Sequence, residues 1–206
     1  MSAVRFRPQA PFKTSYLGGF FCKTTLSFLQ QNRIQTMVKK LYCGGAFDFD
    51  YMQPDYTIKA SQDYRVTAIL KDLNTFLYGR KNVSLSQNLD YIGPFYCETD
   101  TMRGDDIVNT ELRMIEEATD CIFVLDRANC PGTICECIYA ATLKKNLHIF
   151  YLQKNNDEET ESDLHTSCWF PILSALNINP NNTQIHAFKF KEDLHLKIES
   201  LIAKLK

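Results

Sequence analysis

The chain has 206 residues, of which 45% are hydrophobic and 23% charged, a composition typical of a globular protein with one or two domains. Its formal net charge is -1, so there is no overall basic field that would attract nucleic acid, and no nucleic-acid partner is expected. No apolar run approaches the roughly 18 residues that a membrane-spanning helix needs, so no membrane span is expected either.

The beginning of the chain differs in charge from the rest. Residues 1–36 contain five basic and no acidic residues, whereas the remainder carries 18 basic and 24 acidic residues. The stretch lacks the long apolar core and the cleavage site of a secretory signal, and its prolines disfavour an amphipathic helix. We therefore predict a poorly ordered basic extension over residues 1–36 and a folded domain over residues 37–206.

From residue 38 onward, the periodicity of apolar residues predicts alternating strands and helices. In chain order these are a strand at 38–44, a helix at 64–78, a short strand at 83–91, a helix at 105–119, a strand at 121–125, a helix at 133–145, a strand at 147–152, a surface loop at 155–163, a helix at 168–176, a strand at 184–190 and a helix at 192–204. The alternation favours an α/β fold, a three-layer sandwich around a mainly parallel, doubly wound sheet of the Rossmann-like or flavodoxin-like kind.

The eight cysteines include no C-x-x-C pair and match neither a small disulfide scaffold nor a zinc site. They are predicted to be buried free thiols in a reducing compartment, which favours a cytoplasmic location. The four histidines show no ligand spacing, so no metal is expected. His148 lies within a predicted strand and is expected to be a packed core residue.

In a sheet of this kind, ligands bind at the carboxyl ends of the strands. The first strand ends in Gly44-Gly45, followed by Phe47, and paired glycines let a ligand approach the backbone closely. The strand at 121–125 leads through Asp126 to Gly132, just before the next helix, where free backbone amides suit an anion. Neither loop matches G-x-G-x-x-G or a P-loop, so dinucleotide and triphosphate binding lack support.

Glu136 has two interpretations. Thr133-x-x-Glu136 matches a capping box, in which both side chains satisfy backbone amides at the helix start. A carboxylate held ionised in the first turn of a helix, beside a ligand-binding loop, also suits a nucleophile that attacks a sugar carbon and forms a covalent glycosyl-enzyme. The spacing alone leaves both open.

Three segments together resemble the nucleoside 2-deoxyribosyltransferase family, which includes related nucleoside 5′-monophosphate N-glycosidases. They are YCGGAF at 42–47, TDCIFVLD at 119–126 and PGTICECIYAA at 131–141, and the resemblance covers about residues 39–152. It implies that Glu136 is the nucleophile and that Tyr42 orients it. It also implies that Asp126 and the Gly132-Thr133 turn border the sugar or its 5′ substituent.

The residue that handles the proton of the base is expected on the helix before the strand at 121–125. Glu111 can act there as a general acid, whereas Asn109 can only hydrogen-bond the base, and a solvated helix face is the alternative for both. Phe95, in the aromatic segment that follows Gly93-Pro94, is a candidate for stacking on a nucleobase, with core packing as the alternative.

The resemblance implies an enzyme, a nucleoside deoxyribosyltransferase or N-glycosidase, that cleaves or transfers at the N-glycosidic bond without a cofactor. Its expected partners are a small-molecule nucleoside or nucleotide, a free nucleobase and further copies of the same chain in a homo-oligomer. Two alternatives are a nucleoside 5′-monophosphate N-hydrolase and a non-catalytic nucleotide-sensing module on the same fold.

Overall fold

A computed structural model describes residues 37–47, 49, 52–96, 103–127, 130–154 and 164–206. The predicted extension at 1–36 and surface loop at 155–163 lie outside these residues. Six strands form one sheet in the order β2-β3-β1-β4-β5-β6. They are β1 (Lys39–Gly45), β2 (Val83–Ser86), β3 (Leu89–Gly93), β4 (Asp120–Leu125), β5 (Asn146–Leu152) and β6 (Thr183–Phe188).

The sheet is parallel except for the hairpin of β2 and β3, which pair antiparallel. When β2 is set aside, the strand order is that of flavodoxin-like doubly wound sheets. The prediction of a single strand over 83–91 is wrong, because Gln87 and Asn88 form a turn that divides it in two. The Ser86 hydroxyl accepts a 3.2 Å hydrogen bond from the Asn88 amide in this turn.

Six α-helices and one π-helix connect and cover the strands of the described chain. The α-helices are α1 (Tyr56–Ser61), α2 (Leu73–Tyr78), α3 (Gly104–Glu117), α4 (Pro131–Thr142), α5 (Trp169–Ile178) and α6 (Lys191–Leu205), and the π-helix spans Arg65–Leu70. The single helix predicted at 64–78 is interrupted, because Lys71 adopts a left-handed φ of 59°. Asp72 then starts α2 anew, since its carboxylate accepts hydrogen bonds from the amides of Asn74 and Thr75.

The helices lie in two layers, one on each face of the sheet. On one face, Cys43 of β1 and Ile122 of β4 belong to a buried cluster with the π-helix and α6. On the other face, Phe123 of β4 packs in a cluster with α3, α4 and α5. Every residue of β4 is buried, as its continuous apolar run predicts. The predicted fold class, a three-layer α/β sandwich with a mainly parallel sheet, is confirmed.

The described residues include six of the eight cysteines, and all six are free thiols. Five are buried, as predicted, and Cys135 is exposed, while Cys22 and Cys97 lie outside the described residues. None of the helices in the described ranges has the length and apolar character that crossing a membrane requires.

His148 on β5 is buried in the sheet, as its position in the strand predicts. Its ring lies 5.9 Å from that of His186, and its Nδ1 makes no hydrogen bond within the described residues. Burial, with the neighbouring His186, lowers the pKa of His148 to about 4.

We expect this histidine to make the folded state less stable as the pH falls from about 6.5 to about 4. In that window this histidine binds a proton in the unfolded chain but not in the folded chain. The free energy of unfolding therefore falls by up to about 1.4 kcal/mol for each unit by which the pH falls. Urea unfolding of wild type and His148→Gln across this range measures the effect. The variant should lose less stability on acidification, and parallel curves for the two proteins would contradict the assignment.

Candidate active site

The crevice of this fold lies where β1 and β4 meet. The connection after β1 passes to the layer that contains the π-helix, whereas the connection after β4 leads to α4 in the opposite layer. The loops therefore diverge at the carboxyl ends of these two strands and leave an opening, as in other doubly wound sheets. A cavity of about 350 Å³ occupies it, hereafter the Glu136 cavity. Its lining consists of Gly45, Ala46, Phe47, Pro94, Ile107, Glu111, Cys130, Pro131, Gly132, Thr133 and Glu136.

Glu136 reaches the cavity from the second turn of α4. The helix begins at Pro131, with Cys130 as its N-cap residue, and no side chain caps it. The capping-box interpretation of Thr133 and Glu136 is therefore wrong: Thr133 is the third residue of the helix, and Glu136 lies too far along it to reach back to the N-cap. The same boundary corrects the expectation that Glu136 stands in the first turn. Its carboxylate is available for another role.

Gly44 on β1 allows Glu136 to sit against the strand. A Cβ atom at Gly44 would lie 2.7 Å from Oε2 of Glu136 and 2.6 Å from the ring of Phe123. The carboxylate thus packs directly on the α-carbon of Gly44, where no side chain fits. Of the two glycines predicted for substrate binding, Gly45 lines the cavity, whereas Gly44 seats Glu136.

We expect Gly44→Ala to displace the Glu136 carboxylate and to lower any activity that depends on this carboxylate about 10²-fold, the usual effect of moving a reacting group by about 1 Å. Gly104→Ala at the start of α3 is the matched control, because an added methyl there meets no atom within 4 Å. Initial rates of both variants, with melting curves to confirm folding, measure the effect. Equal rates in the two variants would show that a side chain at position 44 does not disturb Glu136.

Tyr42 lies beneath the Glu136 carboxylate in the core of the sheet, where its side chain is 0% exposed. Burial, followed by the charge of Glu136, raises the pKa of the Tyr42 phenol well above its ordinary value, so the hydroxyl stays protonated. The phenol oxygen makes no hydrogen bond of standard geometry with any described residue, yet it is close enough to lower the pKa of Glu136. The Tyr42 hydroxyl can therefore donate a hydrogen bond, and the Glu136 carboxylate is a candidate acceptor.

The structure distinguishes the two candidates on α3. Glu111 lines the cavity together with Ile107, one helical turn earlier, and hydrogen-bonds to Glu136. Asn109 is exposed and lines a separate shallow surface depression with Asp106, so it is not part of this cavity. The reason is helical periodicity, which puts residues 107 and 111 on one face and residue 109 on another.

Glu136 has an altered acidity in this setting. Burial raises its pKa above the ordinary glutamate value, while the contacts with Glu111 and Tyr42 and the charge of Arg65 act in the opposite direction. A carboxylate with a raised pKa is more basic and more nucleophilic than a solvated one, provided that it is ionised at the working pH.

Arg65, at the start of the π-helix, is a site residue that the sequence analysis missed. Its side chain is 0% exposed and forms a bidentate pair with Asp63, with Nε–Oδ1 and Nη2–Oδ2 distances of 2.8 and 2.6 Å. The guanidinium also donates to the carbonyls of Gly45 and Ala46, both at 3.3 Å, and lies 4.1 Å from the centroid of the Phe47 ring. It thereby fixes the loop that follows β1. Although burial lowers the pKa of Arg65, Asp63 raises it above the ordinary value, so the charge persists.

The two aromatic candidates have different positions. Phe47 lines the Glu136 cavity and stacks on Phe76, with ring centroids 5.9 Å apart. Phe95 is only 1% exposed, packs edge-on against Tyr91 and does not line the cavity. The interpretation of Phe95 as a residue that stacks on a base is therefore corrected to core packing, because the residue faces into the layer of the π-helix and α6.

Asp126 also departs from its predicted position. It pairs with Arg127 at 2.8 Å and lines a second cavity of about 360 Å³ on the other side of Gly45 and Ala46. The residue after β4 points to the α6 layer, whereas the helix that follows lies in the opposite layer. Asp126 is thus not brought together with Glu136, while Gly132 and Thr133 are.

Gly132 and Thr133 belong to the first turn of α4, and both line the Glu136 cavity. The first backbone N–H groups of a helix have no acceptor within it, so their partial positive charge suits an anion. An added Cβ at Gly132 would meet nothing within 4 Å, which shows that the space beside it is open. Within the described ranges, no group of three or more His, Cys, Asp or Glu side chains is placed to hold a metal ion.

Comparisons with known proteins give little beyond the architecture. No family model matches the sequence, and no curated protein matches it significantly. Among solved structures, the chain is similar to the CMP N-glycosidase BcmB of Clostridium botulinum, with a TM-score of 0.46 and 14% sequence identity. The alignment covers 79% of this chain and 99% of that one. A likeness at this level concerns the fold and leaves the activity to be argued from the site.

Proposed function

We propose that this protein cleaves the N-glycosidic bond of a nucleoside or nucleotide, with Glu136 as the nucleophile. The observation that carries the proposal is the Glu136–Glu111 pair within a cavity at the carboxyl ends of β1 and β4. Two carboxyl groups that hydrogen-bond to each other share a proton, so one is an acid while the other is ionised. Glycoside cleavage with a covalent intermediate likewise uses two carboxyl groups, one as the nucleophile and the other as the acid and base.

In the proposed first step, an Oε atom of Glu136 attacks C1′ of the sugar. The C1′–N bond breaks, its electron pair passes to the base, and Glu111 donates a proton to the departing base. In the second step, water attacks C1′ of the glycosyl ester, Glu111 takes a proton from it, and Glu136 leaves as a carboxylate. A second nucleobase in place of water would make the reaction a transfer.

Tyr42 and Arg65 prepare the nucleophile in this scheme. The protonated Tyr42 hydroxyl orients the Glu136 carboxylate from below. Arg65 favours its ionised form by charge, and fixes Gly45 and Ala46 along the cavity wall. Phe47, held by Arg65 and Phe76, presents an aromatic ring on which a base can stack.

A nucleoside 5′-monophosphate is a second candidate substrate, favoured by the position of the α4 N-terminus. The backbone amides of Gly132 and Thr133 open into the same cavity as Glu136. They provide a place for a phosphate within one helical turn of the nucleophile. The predicted homo-oligomer and cytoplasmic location stay predictions.

A base-release assay by chromatography tests the proposal. The protein is incubated with deoxyribonucleosides, ribonucleosides and their 5′-monophosphates, each with and without a second free base. Release from one class identifies the substrate, and a new nucleoside in the presence of free base identifies a transferase. If no member of the panel releases base while calorimetry shows that one binds, the proposal is wrong and the non-catalytic sensing module takes its place.

A further inference from the structure

Two thiols lie next to each other at the N-terminus of α4, the helix that contains Glu136. Cys130 is the N-cap residue of α4, and Cys168 is the N-cap residue of α5. Both thiols donate a hydrogen bond to one acceptor, the carbonyl oxygen of Arg127, at Sγ–O distances of 3.1 and 3.0 Å. Because they share this oxygen, the two sulfur atoms are no more than about 6 Å apart, and a disulfide, with an S–S distance of about 2 Å, needs the two residues to move towards each other.

We propose that Cys130 and Cys168 form a dithiol that peroxides oxidise reversibly to a disulfide. This disulfide changes the shape of the Glu136 cavity and thereby inhibits base release. The chemical part of the proposal stands on the thiol geometry alone. Only its effect on catalysis rests on the proposed function.

The cavity gives an oxidant access to the pair. Both thiols are nearly buried, at 5% and 1% exposure, but Cys130 also lines the Glu136 cavity. A peroxide is smaller than any nucleoside, so it can enter by the opening that the substrate uses. Arg127, whose carbonyl accepts both hydrogen bonds, pairs through its guanidinium with Asp126.

Cys168 differs electrostatically from the other buried thiols. Burial is the largest of the effects that raise the pKa of Cys43, Cys121 and Cys137, which therefore stay protonated. In Cys168 the neighbouring Cys130 thiol lowers the pKa despite burial. Its place at the start of a ten-residue helix also favours negative charge.

The oxidation balances with one molecule of hydrogen peroxide. One thiol of the pair, as its thiolate, attacks the O–O bond, gains one oxygen as sulfenic acid and releases the other as water. The second sulfur attacks the sulfenic sulfur, the S–O bond breaks and a second water leaves. Two thiols thus lose two protons and two electrons, and the peroxide is reduced to two molecules of water.

A disulfide here would change the wall of the cavity. It would remove both S–H donors from the Arg127 carbonyl and join the first residues of α4 and α5. The first turn of α4, with Gly132 and Thr133, would have to shift to accommodate the bond, and Glu136 lies one turn further along the same helix.

The test treats the reduced full-length protein with hydrogen peroxide, removes the excess with catalase and blocks free thiols with iodoacetamide. Peptide mapping without reductant is expected to find one Cys130–Cys168 cross-link, and the protein mass before alkylation should be lower by two hydrogens than that of the reduced protein. Base release by the oxidised protein should fall at least about tenfold and return with dithiothreitol. The Cys135→Ser variant, which lacks the exposed thiol of α4, should behave as the wild type does.

The Cys168→Ser variant should form no disulfide and instead carry a sulfenic acid on Cys130 that dimedone traps. The proposal is overturned if mapping finds no Cys130–Cys168 link, or if Cys135 is the first thiol oxidised. The mapping needs no substrate, so its outcome is independent of the proposed function. A cross-link in a protein that releases no base would refute the activity and leave the dithiol, whereas base release without a cross-link would do the reverse.

Discussion

We expect the Glu136→Gln variant to release base from the wild-type substrate at least about 10³-fold more slowly, with its fold and ligand affinity intact. Glutamine keeps the size of the side chain and its packing on Gly44, but its amide cannot attack C1′. Single-turnover rates and calorimetric binding of the same substrate measure the two effects separately. Glu192→Gln, which removes an exposed carboxylate from α6, is the control and should not change either value.

The covalent intermediate gives a direct view of the same residue. Acid quenching of the wild type during turnover should leave the peptide that contains Glu136 heavier by the glycosyl group. Glu111→Gln should slow both formation and breakdown of this adduct, since the proposed acid and base is the same carboxyl group. If Glu136→Gln turned over at the wild-type rate, or if the adduct mapped to another residue, Glu136 would not be the nucleophile.

The pH dependence follows from the acidity of Glu136. Burial raises its pKa, and the nucleophile must be ionised, so activity should fall on the acid side at a pH above the ordinary glutamate range. In Tyr42→Phe the phenol no longer stabilises the carboxylate, and this acid limb should move to still higher pH. A profile of kcat/KM for both proteins tests the direction, and an unchanged limb would remove Tyr42 from the scheme.

Replacing Arg65 with methionine is expected to produce the largest loss of stability, about 3–5 kcal/mol in the free energy of unfolding. The substitution leaves the Asp63 carboxylate without its buried partner, and it removes two hydrogen bonds from the loop after β1. Because Arg65 lowers the pKa of Glu136, the acid limb of activity should also move to higher pH. Urea unfolding and a pH–rate profile measure these two effects.

The chain contains a matched control for this experiment. Arg103 pairs with Asp105 at the same two-residue spacing, but its side chain is 82% exposed. Arg103→Met should therefore cost less than about 1 kcal/mol. Arg65→Lys separates charge from geometry, since lysine keeps the positive charge without the bidentate fork. It should destabilise the fold while leaving the acid limb close to that of the wild type. Equal losses from Arg65→Met and Arg103→Met would contradict the role of the buried pair.

The sequence is informative about the fold because burial on both faces of a sheet leaves a clear pattern. The apolar run at 121–125 predicts β4 almost to the residue, and the alternation of elements predicts the layers. What it does not reveal depends on single backbone angles. The left-handed Lys71 splits one predicted helix, and the turn at Gln87 and Asn88 splits one predicted strand. Lys71 does not belong to a type, such as glycine, that marks such a break, whereas Asn88 is a common turn residue, a signal that the strand prediction did not use.

The candidate site was only partly predictable for a related reason. Tyr42 and Glu136 are implied by the family resemblance, and Glu111 is one of two candidates on α3 that the sequence leaves open; each of the three lies on a regular strand or helix. Asp126 and Phe95 are misplaced, since the direction of a side chain just after a strand depends on a turn that no periodicity describes. The sequence also contains a pattern that indicates a buried arginine at position 65. Arg65 stands four residues before Ile69, on the apolar side of a helix, with Asp63 close enough to pair with it.

The pairing of β1 with β4 also determines at what stage of folding the Glu136 cavity can form. β1 pairs with β4 across a long stretch of chain, as the hydrogen bond between Lys40 and Thr119 shows, because these residues are 79 positions apart in the sequence. Closing a loop of that length costs entropy before any contact compensates for it, so this pairing is a slow, late event in folding. During synthesis, β1 leaves the ribosome long before β4 and α4 do, so it stays unpaired with β4 until that part of the chain has been made. A truncated chain that ends before residue 131 would lack α4 with Glu136 as well as β5 and β6, so neither the sheet nor the Glu136 cavity would be complete.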